Sequence, residues 1–332
     1  MKNKYNLLAV LLALVLLAPI AQRAQPKTSS VPDLHFGMFI CWSLSTFSDK
    51  EWTRGINDIT FFNPSGVDTD EWCRVAKAAG MDYILFLTKH HDGFCLWDTK
   101  TTNWKVPNSP CKKDVLASLK KSCKKYGLKL ALYFSEADWT WIPKDLKPED
   151  FTNKETYWHL GRNSELKKAQ LKELCTQYGP IAYFWMDHAQ SDGGLDHAAT
   201  LAWVKQFQPN CMVGFNNGET AGDIRLGEMG KPGTLQSVEG GGPYNKVVSK
   251  DFKKAEFTYP ILGTSGRWFY TSAANDTVCR TAEDLYEDYK GAIKYGNFFA
   301  LDVGPGRDGK LRGIDVKTLT KLGQLIRKAK SK

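Results

Sequence analysis

The sequence predicts a single (β/α)8 TIM-like barrel. Three observations predict it. Strand-like and helix-like segments alternate from about residue 36 to the C-terminus, the strand-like runs are almost wholly apolar, and no G-x-G-x-x-G fingerprint follows the first of them. An unbroken apolar run suits a strand covered on both faces, as in a parallel sheet. Repeated βα units argue for one such sheet, and the missing glycine fingerprint weighs against an open dinucleotide-binding sheet. The chain of 332 residues can hold one barrel, which occupies roughly 250 residues or more.

The elements follow in order. Phe36–Ser43 is the first apolar strand, and Thr69–Ala79 is a helix with Thr or Asp at its start and Gly80 as its stop. Tyr83–His90 is the second strand, followed by a basic helix, Lys113–Tyr126, that ends at Gly127. Lys129–Ser135, Ser164–Tyr178 and Ile181–Asp187 read as strand, helix and strand; Leu195–Phe207 and Met212–Asn216 as helix and strand. Gly-rich stretches surround two weaker strands expected near 234–239 and 266–270. The pattern recovers with helix Ala282–Tyr295, strand Phe298–Val303 and helix Val316–Lys328. No Pro- or Ser-rich linker interrupts the series, so residues 25–332 read as one domain.

Residues 1–24 read as a signal peptide. Lys2 and Lys4 precede an apolar stretch from Leu7 to Ala21, and Ala21 and Ala24 offer a cleavage point. The stretch is short for a bilayer span of about 20 residues. The mature chain is therefore expected to be periplasmic or secreted, without stable membrane insertion. Losing Lys2, Lys4 and Arg23 lowers the formal charge from +9 to +6. The remaining lysines are scattered over helix-like stretches and read as solvated faces, with no nucleic-acid module beside them. Eight cysteines permit disulfides in an exported protein, but their spacing shows neither a pairing nor a metal pattern.

The strand ends carry the chemistry. They read Cys41-Trp42-Ser43, Thr88-Lys89-His90-His91-Asp92, Tyr133-Phe134-Ser135-Glu136 and Trp185-Met186-Asp187-His188, and Glu51-Trp52 lies in the loop after the first. In a parallel barrel these positions share the C-terminal rim, where active sites form. Aromatic faces beside His, Asp and Glu suit a sugar, with rings on its apolar patches and polar groups on its hydroxyls. Asp187 and Glu228 are two carboxylates on separate strand-to-helix loops, as a glycosidase needs; a lone strand-end Asp could equally cap the next helix. A metal is not expected. Adjacent residues on a strand point to opposite sides, so His90 and His91 should not share an ion, and no H-E-x-x-H pattern occurs.

The stretch STFSDKEW…FNPSGVDTDEW…AKAAGMDYILFLTKHHDGFCLW…YGLKLALYFS, with QLKELCTQYGPIAYFWMD, GDIRLGE and NFFALDVGPGRDG, resembles the α-L-fucosidases of glycoside hydrolase family 29. The wording of STFSDKEW and FNP is closer to the branch acting on α-1,3/1,4-linked fucose. The resemblance implies an exo-acting retaining enzyme on fucosylated glycans, needing no cofactor. Asp187 matches the nucleophile and Glu228 the acid/base, with Glu239 in reserve. Glu51, Trp52, His90, His91, Tyr133, Trp185, Arg225 and Trp268 match sugar-contacting positions. Two departures stand out: Cys41 where relatives usually have His, and Phe215-Asn216-Asn217-Gly218 where many carry Arg. The frequent C-terminal β-sandwich is not expected here. Two alternatives stay open: a weak or inactive relative that only binds fucosylated glycans, and a barrel glycosidase for another sugar.

Overall fold

The computed structural model describes residues 33–142, 161–188, 195–216, 221–230, 254–263 and 267–331. All of them fall in one compact unit, Val31–Lys332. Eight parallel strands form a nearly closed barrel: β1 (Phe36–Ile40), β2 (Tyr83–Lys89), β3 (Lys129–Ser135), β4 (Ile181–Asp187), β5 (Met212–Phe215), β6 (Arg225–Glu228), β7 (Ala255–Pro260) and β8 (Phe298–Asp302). Hydrogen-bonded neighbours run β5-β4-β3-β2-β1-β8-β7-β6. The seam between β5 and β6 is drawn together by Asp223, whose amide donates to the Val213 carbonyl and whose carboxylate accepts from the Val213 amide.

Among the described residues, six helices longer than one turn flank the strands: α1 (Thr69–Ala78), α2 (Val115–Tyr126), α3 (Ser164–Gln177), α4 (His197–Phe207), α5 (Ala282–Lys294) and α6 (Gly313–Lys330). Asp68, Asp114, Asn163, Asp196 and Thr281 cap the first five, each side chain accepting from a backbone amide of the first turn. These caps explain why α2 and α4 start two residues later than the apolar pattern suggested: Asp114 and Asp196 serve the helix from outside it. The six expected strands outside the Gly-rich region are all present. The two weaker ones are placed differently. Residues 234–239 lie outside the described residues, and Trp268–Tyr270 are irregular; the sixth and seventh strands are Arg225–Glu228 and Ala255–Pro260. Their short, polar sequences hide the apolar run by which a buried strand is read.

Alternate residues fill the barrel. Tyr83, Tyr183 and Phe298 pack edge to face in a lower layer, with centroids 5.4–6.2 Å apart. Gly37 on β1 makes room for them, because a Cβ there would lie 2.3 Å from the Tyr83 ring. Above them, Tyr133 stacks on Trp185 at 5.3 Å and meets Phe39 at 5.7 Å. The next inward positions are Asp187, Asn216 and Glu228. Polar pairs outside the barrel brace its rim. Lys89, fully buried, donates to Asp138 (2.9 Å) and Gln170 (3.0 Å), while the Trp139 amide donates to the His91 carbonyl. Lys167, expected on a solvated face, is also buried, because it pairs with Glu136 at 2.6 Å and donates to Thr200. All eight cysteines are free, and Cys73 and Cys123 face each other across α1 and α2 at 3.8 Å. No described helix is long and apolar enough to cross a membrane.

Candidate active site

Asp187 ends β4 pointing into the barrel, as the parity of Tyr183 and Trp185 requires. Three donors hold its carboxylate. Tyr133 Oη donates to Oδ2 (2.5 Å), while Asn216 Nδ2 and the His188 amide both donate to Oδ1 (2.9 Å each). The same Asn216 nitrogen donates to Glu228 Oε2 at 2.7 Å. One amide thus bridges the two carboxylates, and these oxygens can be no farther apart than its two hydrogen bonds laid end to end. The bridge also orients the Asn216 amide, since only its NH2 side can face two acceptors.

Burial, then the Asp187 charge and to a smaller extent that of Glu51, push the Glu228 carboxyl up to about 7 against the lowering effect of the Asn216 hydrogen bond. Glu228 is therefore the carboxyl that keeps its proton near neutrality, the property of a general acid. A tier of further acids surrounds it. Glu51 is pushed up to about 7, chiefly by burial, against the lowering effect of hydrogen bonds from the Trp268 and Phe269 amides. Glu256, wholly inside the barrel, is pushed up to about 8 by burial and accepts from Trp185 Nε1 (3.1 Å) and Tyr183 Oη.

The two histidines stand closer than strand alternation allowed. β2 ends at Lys89, so the pleat no longer separates His90 from His91, and their ring centroids lie 4.0 Å apart. His90 packs against Phe269 and Tyr133, and burial pushes it down to about 3. His91 is likewise held well below its ordinary value by burial and by neighbouring cations and histidines. Burial thus favours the neutral form of both rings. His91 Nδ1 lies 2.5 Å from Ser135 Oγ, and its Nε2 lies 3.6 Å from Asp187 Oδ2.

Cys41 is buried at the end of β1 beside Asp302, the last residue of β8. Burial, then the Asp302 charge, pushes its thiol well above the ordinary range, so it stays protonated. Burial likewise pushes the Asp302 carboxyl far up. Trp268 is half-buried against Phe39, and Trp185 forms part of the floor under Asp187. The structure thus gathers Asp187, Glu228, Tyr133, His90, His91, Cys41, Glu51, Trp185 and Trp268 around one mouth. Trp52, next to Glu51 in the chain, is 50% exposed. Arg225 is placed differently: it begins β6, with parity putting it on the side of the strand opposite to Glu228. Glu239 lies outside the described residues. Asn216, Ser135, His188 and Asp302 belong to the cluster without having been singled out as site residues. Asn216 and Asp302 were legible only as polar residues at strand ends, the position that parity sends inward.

Comparison with known proteins agrees with this geometry. Residues 56–330 match the family model described as Alpha-L-fucosidase. The chain is 32% identical to a putative alpha-L-fucosidase 1 of Oryza sativa subsp. japonica, over 88% of its own length and 55% of that protein. It is 26% identical to alpha-L-fucosidase 1 of Arabidopsis thaliana, over 94% of its length and 60% of the relative. The chain thus spans little more than half of these relatives. Among solved structures, a glycoside hydrolase 29 family member from a rumen bacterium superposes with a TM-score of 0.68 at 29% identity, covering 89% of this chain and 55% of that one. A Bacteroides thetaiotaomicron alpha-L-fucosidase, trapped as a covalent intermediate with 2-fluoro-fucosyl fluoride, gives 0.69 at 25% identity, with 89% and 73% covered.

Proposed function

The chain belongs to the α-L-fucosidase family, and from that premise we propose that it is an exported, exo-acting, retaining α-L-fucosidase, of the branch that acts on α-1,3/1,4-linked fucose. The observation that carries the reading is the Asn216 bridge. With hydrogen bonds of 2.9 and 2.7 Å it keeps one oxygen of each carboxylate close to one of the other, which supports the short separation of retaining glycosidases, roughly 5–5.5 Å, over the roughly 6.5–9.5 Å that leaves room for a water in inverting ones. An Asp187 oxygen attacks the anomeric carbon and the glycosidic C–O bond breaks, while Glu228 passes its proton to the departing oxygen. Water then attacks the same carbon, Glu228 takes its proton, and the ester to Asp187 is released. Neutral His90 and His91 each present a ring nitrogen to a sugar hydroxyl. Glu51 and the Cys41 thiol meet other hydroxyls, and Trp268 and Trp52 offer apolar faces. Trp185 underlies the nucleophile, where the sugar's C6 methyl would rest.

One experiment tests the reading. The protein recovered from the periplasm or medium should begin after Ala24 and release free fucose from an aryl α-L-fucoside and from an α-1,3/1,4-fucosylated trisaccharide. The preferred substrate assigns the branch. A folded protein that binds fucose yet releases none would instead be a glycan-binding relative.

The bridge makes a second expectation. Asn216→Ala removes one hydrogen bond from Glu228 and one from the nucleophile carboxylate, the latter a bond to a charged group worth about 1.5–3 kcal/mol, so kcat/KM should fall about 10- to 100-fold. The pH profile should move as well. Activity needs Glu228 protonated and is lost as pH rises through about 7. The lost hydrogen bond had favoured the charged form, so the basic limb of the variant should lie at higher pH. Asp187, Glu51, Glu256 and Cys41 face the same space and remain unchanged. A pH–rate profile with an unmoved basic limb would contradict the role given to Asn216.

A further inference from the structure

Cys73 lies on α1 and Cys123 on α2, and their thiols meet at 3.8 Å between the two helices. Both are buried. Either one alone would pass as a small apolar core residue. The contacts around them fix the meeting. Thr69, one turn before Cys73, shares a hydrogen bond of 2.9 Å with Ser122, the neighbour of Cys123. Asp70 accepts from Lys125 Nζ and from Tyr126 Oη, at 2.7 Å each. These three contacts hold α1 and α2 in one register, with the two sulfurs opposite each other.

The spacing of the cysteines could not show this pair, because 50 positions separate its members. Between them the chain runs through β2 and into the turn that carries His90 and His91. A covalent bond between the thiols closes that unit into a loop and ties together the helices on either side of β2. Such a closure restricts the unfolded chain far more than the folded one.

We propose that Cys73 and Cys123 are joined by a disulfide when the chain folds in an oxidising compartment. The oxidant is itself a disulfide, either a small one such as oxidised glutathione or that of a protein dithiol oxidant. The thiolate of one cysteine attacks it, forming a mixed disulfide and releasing one thiol. The thiolate of the other cysteine then displaces the second thiol. Two protons leave the cysteines, and two electrons pass to the oxidant, which ends as two thiols. The sulfurs close from 3.8 Å to the S–S distance of about 2.0 Å. The facing Cys123 thiol, and then burial, hold the Cys73 thiol well above its ordinary range, so exchange is slow once the helices have packed. The bond therefore forms while α1 and α2 are still open to solvent, and the finished fold shields it from reductants. Neither cysteine takes part in the hydrolysis proposed above, so the two readings stand or fall separately.

The test is to unfold the full chain in reductant and refold it in a mixture of reduced and oxidised glutathione. Six of the eight thiols should then react in denaturant. A digest made without reductant should contain one peptide pair joined through Cys73 and Cys123, lighter by two hydrogens than the separate peptides. The oxidised wild type should melt about 5–10 °C above the same protein kept reduced, the scale for closing a loop of this length. In the Cys73→Ala/Cys123→Ala variant, reductant should leave Tm unchanged. Eight reactive thiols, a link between two other cysteines in place of this one, or a wild-type Tm indifferent to reductant would each overturn the proposal. So would a reductant-dependent Tm that survives in the double variant. If that variant does not fold, the wild-type digest and the two wild-type melting curves still decide.

Discussion

Asp187→Ala should lower kcat by about 10⁴-fold or more, the scale on which removal of a covalent nucleophile is felt, while fucose still binds. The size follows from the site's construction. Tyr133, Asn216 and the His188 amide all converge on this one carboxylate, and no other described acid is held by three donors at the strand end facing Glu228. The variant leaves a small void lined by those donors. Azide should enter it and restore turnover, and because the anion then attacks from the nucleophile's face, the product should be a fucosyl azide of inverted configuration. Progress curves and product stereochemistry check this. Activity retained within about tenfold of wild type would remove Asp187 from the mechanism. Restored turnover with a product of retained configuration would remove the double displacement.

Glu228→Gln should be the next most damaging change, lowering kcat/KM by about 10²- to 10⁴-fold on natural glycosides, the range for a lost general acid. The loss should shrink sharply for aryl fucosides with acidic leaving groups, which depart without protonation. The substituted side chain keeps a carbonyl oxygen that can still accept from Asn216, so the geometry around Asp187 is disturbed little and the effect reports the proton. The basic limb of the pH profile, set near 7 in the wild type by burial and by Asp187, should vanish with the group that makes it. Measuring rates across leaving groups of graded acidity separates Glu228 from Glu239. If Glu239→Gln shows the leaving-group dependence and Glu228→Gln does not, the proton comes from Glu239, and Glu228 only raises the charge density of the site.

The departures from the family pattern take on a physical form in the folded chain. Cys41 does not leave a vacancy where relatives place a histidine: it is buried against Asp302, and both groups keep their protons. Asn216 stands near where many relatives carry an arginine, and it performs a task that a cation would perform differently, since one neutral amide serves two carboxylates at once. Arg225 does not substitute for that cation, because strand parity turns it away from Glu228.

The strands with long apolar runs, β1 to β5 and β8, were legible in the sequence, and so was the place of Asp187 at the C-terminal rim, because both follow from where one extended apolar segment runs and ends. The helix starts were legible to within a few residues, and the capping Asp, Asn or Thr side chains set where the first turn begins. The sixth and seventh strands were not, because Arg-Leu-Gly-Glu and Ala-Glu-Phe-Thr-Tyr-Pro place polar groups inside the barrel and break the pattern by which strands are read. The pairing of His91 with His188, the single amide between Asp187 and Glu228, and the contact of Cys41 with Asp302 belong to tertiary structure alone. Each joins the ends of different strands, and which strand ends meet is set by barrel closure, through tilt and stagger that no local period encodes.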